Sequence, residues 1–285
     1  MTDPRVRSTE VLVDGFRFPE GPRWHGHLLF VSDMHAGRIL TVSESGEVAT
    51  FAEVPGLPSG LGWDPEGHLM VVSMEERRVL KFHSDGPEHF ADLSGYAAFP
   101  CNDMVVDAAG GAYVGNFGFD LHGGADPVPT VLLRVTPDGA VSVAATEVRF
   151  PNGSVITPDG RTLVVGETFA GRLTAWDIGV DGTLSGRRVW AQLEGAVPDG
   201  ICLDADGAIW SACPLSGRVL RVLEGGAVTD VVTVDRAGAF ACMLGGADRR
   251  TLFVCTADDS DPAATVSGRG AIETVRVEVP GAGRP

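Results

Sequence analysis

The sequence predicts an all-β fold, a six-bladed β-propeller with four antiparallel strands per blade. A proline marker recurs at spacings of 39, 42, 51 and 47 residues, at Pro19, Pro58, Pro100, Pro151 and Pro198. Periods near 40 residues are typical of propeller blades. The chain has 38 glycines among 285 residues, a larger share than the average of about 7%. Such a glycine content favours many tight turns. No stretch has the sustained 3.6-residue periodicity of an amphipathic helix.

In four of the units, the turn after the first strand consists of residues that favour turns. These turns read DPEG, DAAG, TPDG and DADG, beginning at Asp64, Asp107, Thr157 and Asp204. The segments that follow them, HLMVVS, GAYVGN, RTLVVGE and AIWSAC, are rich in strand-forming residues. A sixth unit begins near Phe240.

The segment around residues 11–16 precedes the first marker. We expect it to supply a strand to the last blade and close the ring, which removes exposed sheet edges. A chain of 285 residues with 44% hydrophobic residues can bury a large core, and no low-complexity linker divides it. Residues 1–285 are therefore predicted to form a single β-propeller domain.

Charge, hydrophobic patterning and cysteine content exclude several kinds of partner. The chain has 22 Lys plus Arg against 38 Asp plus Glu, and Lys81 is its only lysine, so a nucleic-acid partner is not expected. No run of about 18 apolar residues and no signal-peptide pattern is present, which predicts a cytoplasmic protein without a membrane partner. The five cysteines include no C-x-x-C pair, and we interpret them as free thiols.

Four markers place an oxygen-bearing side chain at the start of a blade. Since the first strand of a propeller blade is innermost, residues at its start meet at one mouth of the central channel. Glu20, Asn102, Asn152 and Asp199 should therefore converge. Two carboxylates and two amide carbonyls suit a hard cation such as Ca²⁺, Mg²⁺ or Mn²⁺ better than structural zinc.

The alternative is that the marker is only a turn before a strand, because Pro, Asp, Asn and Gly dominate turns for backbone reasons. The other two units discriminate between these readings. There the matching places hold Ser59 and Ala241 or Cys242, so the turn survives without a ligand. A backbone requirement alone would not select acids and amides in the remaining four blades.

The segments FPEGPRW, CNDMVVDAAGGAYVGN, PNGSVITPDGRTLVVGET, PDGICLDADGAIWSAC and CMLGG resemble the senescence-marker-protein/gluconolactonase family, also called regucalcin-like. Its members are six-bladed propeller metallohydrolases. The resemblance covers nearly the whole chain and implies Glu20, Asn152 and Asp199 as ligands of one divalent cation, with Asp199 also the general base. It implies Asn102 as a fourth ligand or a substrate contact. Ca²⁺ is the first choice of cation, with Mg²⁺, Mn²⁺ and Zn²⁺ as alternatives.

The predicted chemistry is hydrolysis of a lactone by metal-activated water. No G-x-S-x-G, H-E-x-x-H, G-x-G-x-x-G or P-loop motif competes with it. Hydrolysis of an organophosphate or another ester at the same site is one alternative. A binding propeller with a structural cation is the other.

The predicted pocket lining is apolar. Cys101 adjoins Asn102 and lacks an activating histidine, so we interpret it as pocket lining or packing. The loops at 116–130 and 256–270 are candidates for a lid, and Phe117 and Phe119 in the first loop are expected to contact substrate. Some sugar lactonases carry an arginine two residues before the motif's asparagine, where this chain has Pro100. A less polar lactone is therefore expected.

Overall fold

The structure is a computed structural model that describes residues 3–283 and consists of short strands joined by turns. The chain begins with β1 (Arg5–Ser8) and β2 (Glu10–Phe16). Blade one comprises β3 (Pro19–His25), β4 (Leu28–Asp33), β5 (Arg38–Val42) and β6 (Val48–Glu53). Blade two comprises β7 (Pro58–Trp63), β8 (Leu69–Ser73), β9 (Arg78–His83) and β10 (Gly86–Asp92). Blade three comprises β11 (Cys101–Val106), β12 (Ala112–Asn116), β13 (Thr130–Val135) and β14 (Val141–Val148).

The second half repeats the pattern. Blade four comprises β15 (Pro151–Ile156), β16 (Thr162–Glu167), β17 (Arg172–Ile178) and β18 (Leu184–Gln192). Blade five comprises β19 (Ile201–Leu203), β20 (Ile209–Cys213), β21 (Arg218–Val222) and β22 (Val228–Thr233). Blade six comprises β23 (Gly238–Gly245), β24 (Thr251–Ala257) and β25 (Gly270–Arg276). Short 3-10 helices lie at Met34–Ala36, Thr168–Ala170, Pro214–Ser216 and Ala264–Ser267.

The first strands of the blades line the centre of the ring. The inner strands β3, β7, β11, β15, β19 and β23 contact one another in sequence order, and β23 contacts β3 to complete the circle. The six-bladed β-propeller predicted from the marker spacing is thereby confirmed. Within residues 3–283, no helix has the length and apolar character that a membrane span requires.

The N-terminal segment closes the ring as predicted. Strand β2 pairs antiparallel with β25 and is the outermost strand of blade six, so the first and last parts of the chain share one sheet.

One feature departs from four strands per blade. Strand β1 adds a fifth, parallel strand to the outer edge of blade five by pairing with β22. Arg7 Nη1 lies 2.8 Å from Oδ1 of Asp230, whose side chain is buried. This charge pairing and the added ladder cover an edge that would otherwise expose unpaired backbone groups. The sequence analysis did not predict it, because RVRS carries no strand pattern of its own.

The core lies between the sheets. Large apolar side chains that are fully buried include Trp210, Tyr113, Phe16 and Phe253. These side chains fix the sheets relative to one another, and the sheets in turn position the starts of the inner strands.

Candidate active site

Irregular pairing sets the direction of the predicted ligands. In blades one, three and four, the first two strands change register just after the proline marker. The shifts lie between Glu20 and Arg23, Cys101 and Met104, and Pro151 and Ser154. Such β-bulges bend a strand and re-aim the side chains beside them. Glu20, Asn102 and Asn152 lie within or beside these bulges and are all buried.

The glycine after the ligand position is required by close packing of adjacent inner strands. A Cβ on Gly153 would lie 2.4 Å from the backbone nitrogen of Ile201, and one on Gly21 would lie 2.6 Å from the carbonyl oxygen of Ser59. A larger residue at either place would push neighbouring blades apart. The glycine of the marker is therefore structural, while the residue before it is free to carry chemistry.

Hydrogen bonds join the predicted ligands across blades. Nδ2 of Asn102 donates to Oδ1 of Asn152 at 3.2 Å, and the hydroxyl of Ser59 donates to Oδ1 of Asn102 at 3.3 Å. The side chain of Asn152 also lies near the carboxylate of Asp199 and lowers its pKa. The structure thus brings together residues from blades two to five that are far apart in sequence.

Burial and neighbouring acids dominate the electrostatics of both predicted carboxylate ligands. Burial, followed by the charges of Asp199 and Asp103, raises the pKa of Glu20 well above its usual range. Burial and then the charge of Asp103 raise the pKa of Asp199 in the same way. Acids that repel one another in a buried site form a place where a cation is favourable.

The carboxylates of Glu20 and Asp199 differ in how firmly they are held and in how exposed they are. Oε2 of Glu20 accepts a hydrogen bond from the Gly21 N–H at 2.9 Å, and the side chain is buried. Asp199 is only half-buried. Glu20 is therefore held in a fixed position, while Asp199 is the more exposed of the two carboxylates.

Two buried acids hold the chain that leads into the site. Oδ1 of Asp33 accepts the N–H groups of Arg17 and Phe18 at 2.8 and 3.1 Å. In blade four, Oε2 of Glu167 accepts the N–H of Arg149 at 2.8 Å. Both carboxylates also bind arginines of their own blades, so they position the chain just before the predicted ligands Glu20 and Asn152.

The predicted substrate contacts belong to one apolar cluster beside the ligands. Cys101, Phe117 and Phe119 pack together with Phe18, Phe150 and Phe240, and we call these five phenylalanines the apolar wall. The ring centroids of Phe117 and Phe150 are 4.9 Å apart and stacked. Cys101 is fully buried, and burial raises the pKa of its thiol to about 12. That makes it packing, not a nucleophile.

A second group of metal-type ligands lies at the turn after β7, on the opposite face. Single ligand atoms of Asp64, Glu66 and His68 all lie within 4.8 Å of one another. The ammonium of Lys81 already lies 3.1 Å from Oδ2 of Asp64. Because a bound cation would have to displace that ammonium, we assign no metal to this turn.

Comparison with known proteins agrees with the fold and the inner-strand motifs. The family profile described as SMP-30/Gluconolactonase/LRE-like region matches residues 18–258. The chain belongs to this family. The SMP-30/gluconolactonase/LRE-like match begins with the first proline marker and extends into the last blade, so it includes all four predicted ligands.

Relatives in this family carry lactonase names. The chain is 28% identical over 278 residues to a 6-deoxy-6-sulfogluconolactonase of Pseudomonas putida, covering 93% of both chains. It is 28% identical over 296 residues to a pentonolactonase of Haloferax volcanii, covering 97% of this chain and 96% of the relative. A solved structure described as a gluconolactonase of Xanthomonas campestris aligns with a TM-score of 0.76 and 25% identity, covering 95% and 88%.

Some residues of the site were missed by sequence reasoning. Phe18 and Phe150 are the apolar residues of the markers FPE and FPN, and their recurrence before proline was a signal for the apolar wall. Asp103 follows Asn102 in CND and is buried. Arg23 in EGPRW is buried as well, and no repeated pattern marks it.

Proposed function

We propose that the chain is a single β-propeller domain that hydrolyses lactones with the help of one divalent cation. The observation that carries this proposal is the convergence of Glu20, Asn152 and Asp199, with a raised pKa at both acids. Family membership and the lactonase names of full-length relatives support the same reaction.

The donor set fits a hard cation. Glu20, Asn152 and Asp199 offer carboxylate and amide oxygens, and Asn102 adjoins them through its hydrogen bond to Asn152. Such ligands suit Ca²⁺, Mg²⁺ or Mn²⁺, and Ca²⁺ is our first choice because it accepts irregular oxygen geometry. When bound, the cation would polarise the lactone carbonyl and lower the pKa of the attacking water.

Asp199 is the proposed general base. Its half-buried carboxylate is the more accessible of the two, so it can lie beside the attacking water and take its proton. Asp199 would accept the proton from water as the ring carbonyl is attacked, and would return it to the leaving oxygen as the ring opens.

The apolar wall makes one side of this site hydrophobic. Phe18 contacts Phe240 edge to face at 4.8 Å, and Phe119 lies against Phe150 at 5.9 Å. Water is excluded along this side, so a lactone would bind with its ring against phenylalanines and its carbonyl toward the oxygen ligands.

The test is a hydrolysis screen on metal-free and metal-reconstituted protein. Aliphatic, aromatic and sugar lactones are each followed by proton release, with a phosphotriester and a linear ester included for comparison. We expect lactone opening that disappears on chelation and returns with Ca²⁺, Mg²⁺ or Mn²⁺. Full activity without metal would overturn the mechanism.

Other results of this screen would favour the alternatives. Turnover of the phosphotriester alone would identify an organophosphate hydrolase at the same site. Tight metal binding without any turnover would identify a binding propeller whose cation is structural.

A further inference from the structure

One histidine is packed against the apolar wall. His35 lies in the short 3-10 helix between β4 and β5, and the Met34 N–H of that helix donates to the carbonyl oxygen of Phe18 at 2.9 Å. The His35 imidazole stacks on the Phe18 ring, with centroids 4.6 Å apart and planes inclined by 12°. Phe18 lies two residues before Glu20 on the chain, so the imidazole adjoins the proposed site.

A threonine of the loop in blade six orients the proton of this imidazole. Nδ1 of His35 lies 2.7 Å from Oγ1 of Thr265, and the Thr265 hydroxyl donates to the carbonyl oxygen of Pro262 at 3.2 Å. A hydroxyl has only one proton to donate. Because that proton goes to Pro262, Thr265 accepts from His35, and we assign the imidazole proton to Nδ1. The lone pair of the neutral ring then lies on Nε2.

The imidazole is neutral at pH 7. Burial, followed by the charge of Arg17, lowers the pKa of His35 to about 4. A neutral ring whose N–H is held by Thr265 offers one free hydrogen-bonding atom, the acceptor Nε2. His35 is therefore suited to accept a hydrogen bond in this site and not to act as a general acid.

Nε2 is the polar atom of the ring that a small molecule can reach. Within residues 3–283 it has no hydrogen-bond partner, yet it is not among the unpartnered side-chain atoms that are fully buried. Phe18 covers one face of the ring, and Thr265 covers the edge at Nδ1. Because the two nitrogens point in different directions from the five-membered ring, Nε2 is directed away from Thr265. Beside it, the phenylalanines of the apolar wall offer no acceptor, and an unpaired hydroxyl against them would be costly.

We propose that Nε2 of His35 accepts a hydrogen bond from a hydroxyl or N–H of the substrate, and that the preferred substrate is a lactone with one such donor on an otherwise apolar ring. This inference rests on the lactone hydrolysis proposed above and names the substrate class of the same site. His35 determines specificity and takes no part in the proton transfer of ring opening.

The experiment compares lactones that differ by one donor. Metal-reconstituted protein is assayed with α-hydroxy- and β-hydroxy-γ-butyrolactone, each against the methoxy lactone of the same position, which keeps the oxygen but cannot donate. His35→Phe keeps a ring against Phe18 but has no acceptor. We expect it to reduce the hydroxy-to-methoxy ratio of kcat/KM about tenfold for at least one of the two positions. The intrinsic reactivity of each lactone cancels, because the same pair is measured with both proteins. An unchanged ratio at both positions would overturn the inference.

A matched control makes the same substitution away from the site. His25 stacks on Trp63 with ring centroids 4.2 Å apart, on the opposite face of the propeller. His25→Phe should leave both ratios unchanged. An equal reduction in His25→Phe and His35→Phe would overturn the inference, because the effect would then come from a general loss of stability.

A measurement without turnover tests the tautomer, and it needs no variant to fold. Long-range ¹H–¹⁵N NMR of the unmodified, metal-free protein reports which ring nitrogen carries the proton, and His35 is identified as the histidine that stays neutral down to about pH 4. We expect the proton on Nδ1, and a proton on Nε2 would overturn the inference. If the unmodified protein opens no lactone, the proposed function fails and the inference falls with it. If it opens them with ratios that His35→Phe leaves unchanged, only the inference fails.

Discussion

Nδ2 of Asn102 donates a hydrogen bond to Oδ1 of Asn152 at 3.2 Å, which joins blades three and four at the mouth of the channel. Nδ2 of Asn152 in turn donates to the Thr168 hydroxyl at 3.2 Å. Both amides are therefore oriented by neighbours before any ligand binds, and their roles can be separated by substitution.

Replacing the two asparagines should affect metal and substrate differently. Asn152 lies near enough to Asp199 to lower the pKa of its carboxylate, whereas Oδ1 of Asn102 already accepts from Ser59. We expect Asn152→Ala to raise the metal Kd about tenfold or more, and Asn102→Ala to raise it less while raising KM. Calorimetric Kd and steady-state KM measure the two effects. Equal loss of metal binding in both variants would make Asn102 a fourth ligand.

Substrate preference should follow the apolar wall. We expect a higher kcat/KM for aliphatic or aromatic lactones than for gluconolactone, and Phe117→Ala and Phe119→Ala should reduce it more for the apolar substrates. Phe253 is as buried and stacks on Trp24 towards the opposite face, so Phe253→Ala is the control for lost stability. If all substrates decline equally in the Phe117 and Phe119 variants, these rings only pack the loop.

A clear preference for gluconolactone would contradict this expectation. It would imply that another cationic group does the work of the arginine that some sugar lactonases carry at the position of Pro100. Arg77 is then the side chain to test. Its guanidinium donates to the carbonyl oxygens of Ala97 and Ala98, just before Cys101, and its charge acts on the Cys101 thiol.

Thiol chemistry should be irrelevant to turnover. All five cysteines are free and buried, and burial raises the pKa of Cys101 and of Cys213 to about 12. Native protein should resist iodoacetamide and keep its activity, whereas unfolded protein should be alkylated at every cysteine. Mass spectrometry and the lactone assay check this. Complete inactivation of folded protein at one modified cysteine, not rescued by metal, would point to a cysteine nucleophile.

The turn at Asp64 should contribute stability that acid removes. Burial alone would raise the pKa of Asp64, but hydrogen bonds from the His68 N–H and from Lys81 outweigh it and lower the pKa to about 2. A lowered pKa stabilises the folded state above the unfolded value near 3.8, and this stability is lost as pH falls through about 2. Asp64→Asn should therefore reduce the free energy of unfolding at pH 7 by about 2 kcal/mol.

Urea unfolding at pH 7 and near pH 3 measures this dependence. The deficit of Asp64→Asn should shrink at the lower pH, while Asp138→Asn, at an exposed turn of the same kind, should have little effect at either. An Asp64→Asn deficit that is the same at both pH values would mean that the loss comes from packing, not from charge.

The sequence predicted which residues form the site better than it predicted the contacts that position them. The proline markers located Glu20, Asn102, Asn152 and Asp199 because blade starts repeat at a readable period. The β-bulges beside Glu20, Asn102 and Asn152 depend on register between strands, and a single strand's sequence does not encode register. Arg23 and Asp103 were missed for a related reason: Arg23 hydrogen-bonds from blade one to Met104 of blade three, and neither Arg23 nor Asp103 belongs to a repeated pattern.

The fold, like the site, was predicted only in part. Repeated turns and strand-forming segments predicted six blades, and the segment before the first marker was predicted to close the last one. The added strand β1 was not predicted, because its pairing depends on an exposed edge of blade five and on Asp230, more than 200 residues away.

The central claim is that Asp199 is the base of a metal-dependent lactone hydrolysis. The most direct measurement is the kcat of Asp199→Asn at saturating metal, with Glu20→Gln measured alongside. Asparagine keeps the shape and an oxygen ligand but cannot accept the proton, so kcat should fall by about 10²–10⁴, with the fold intact and metal still bound. Glu20→Gln should recover most of its rate once metal is saturating. Recovery of the unmodified rate by Asp199→Asn at saturating metal would contradict the account.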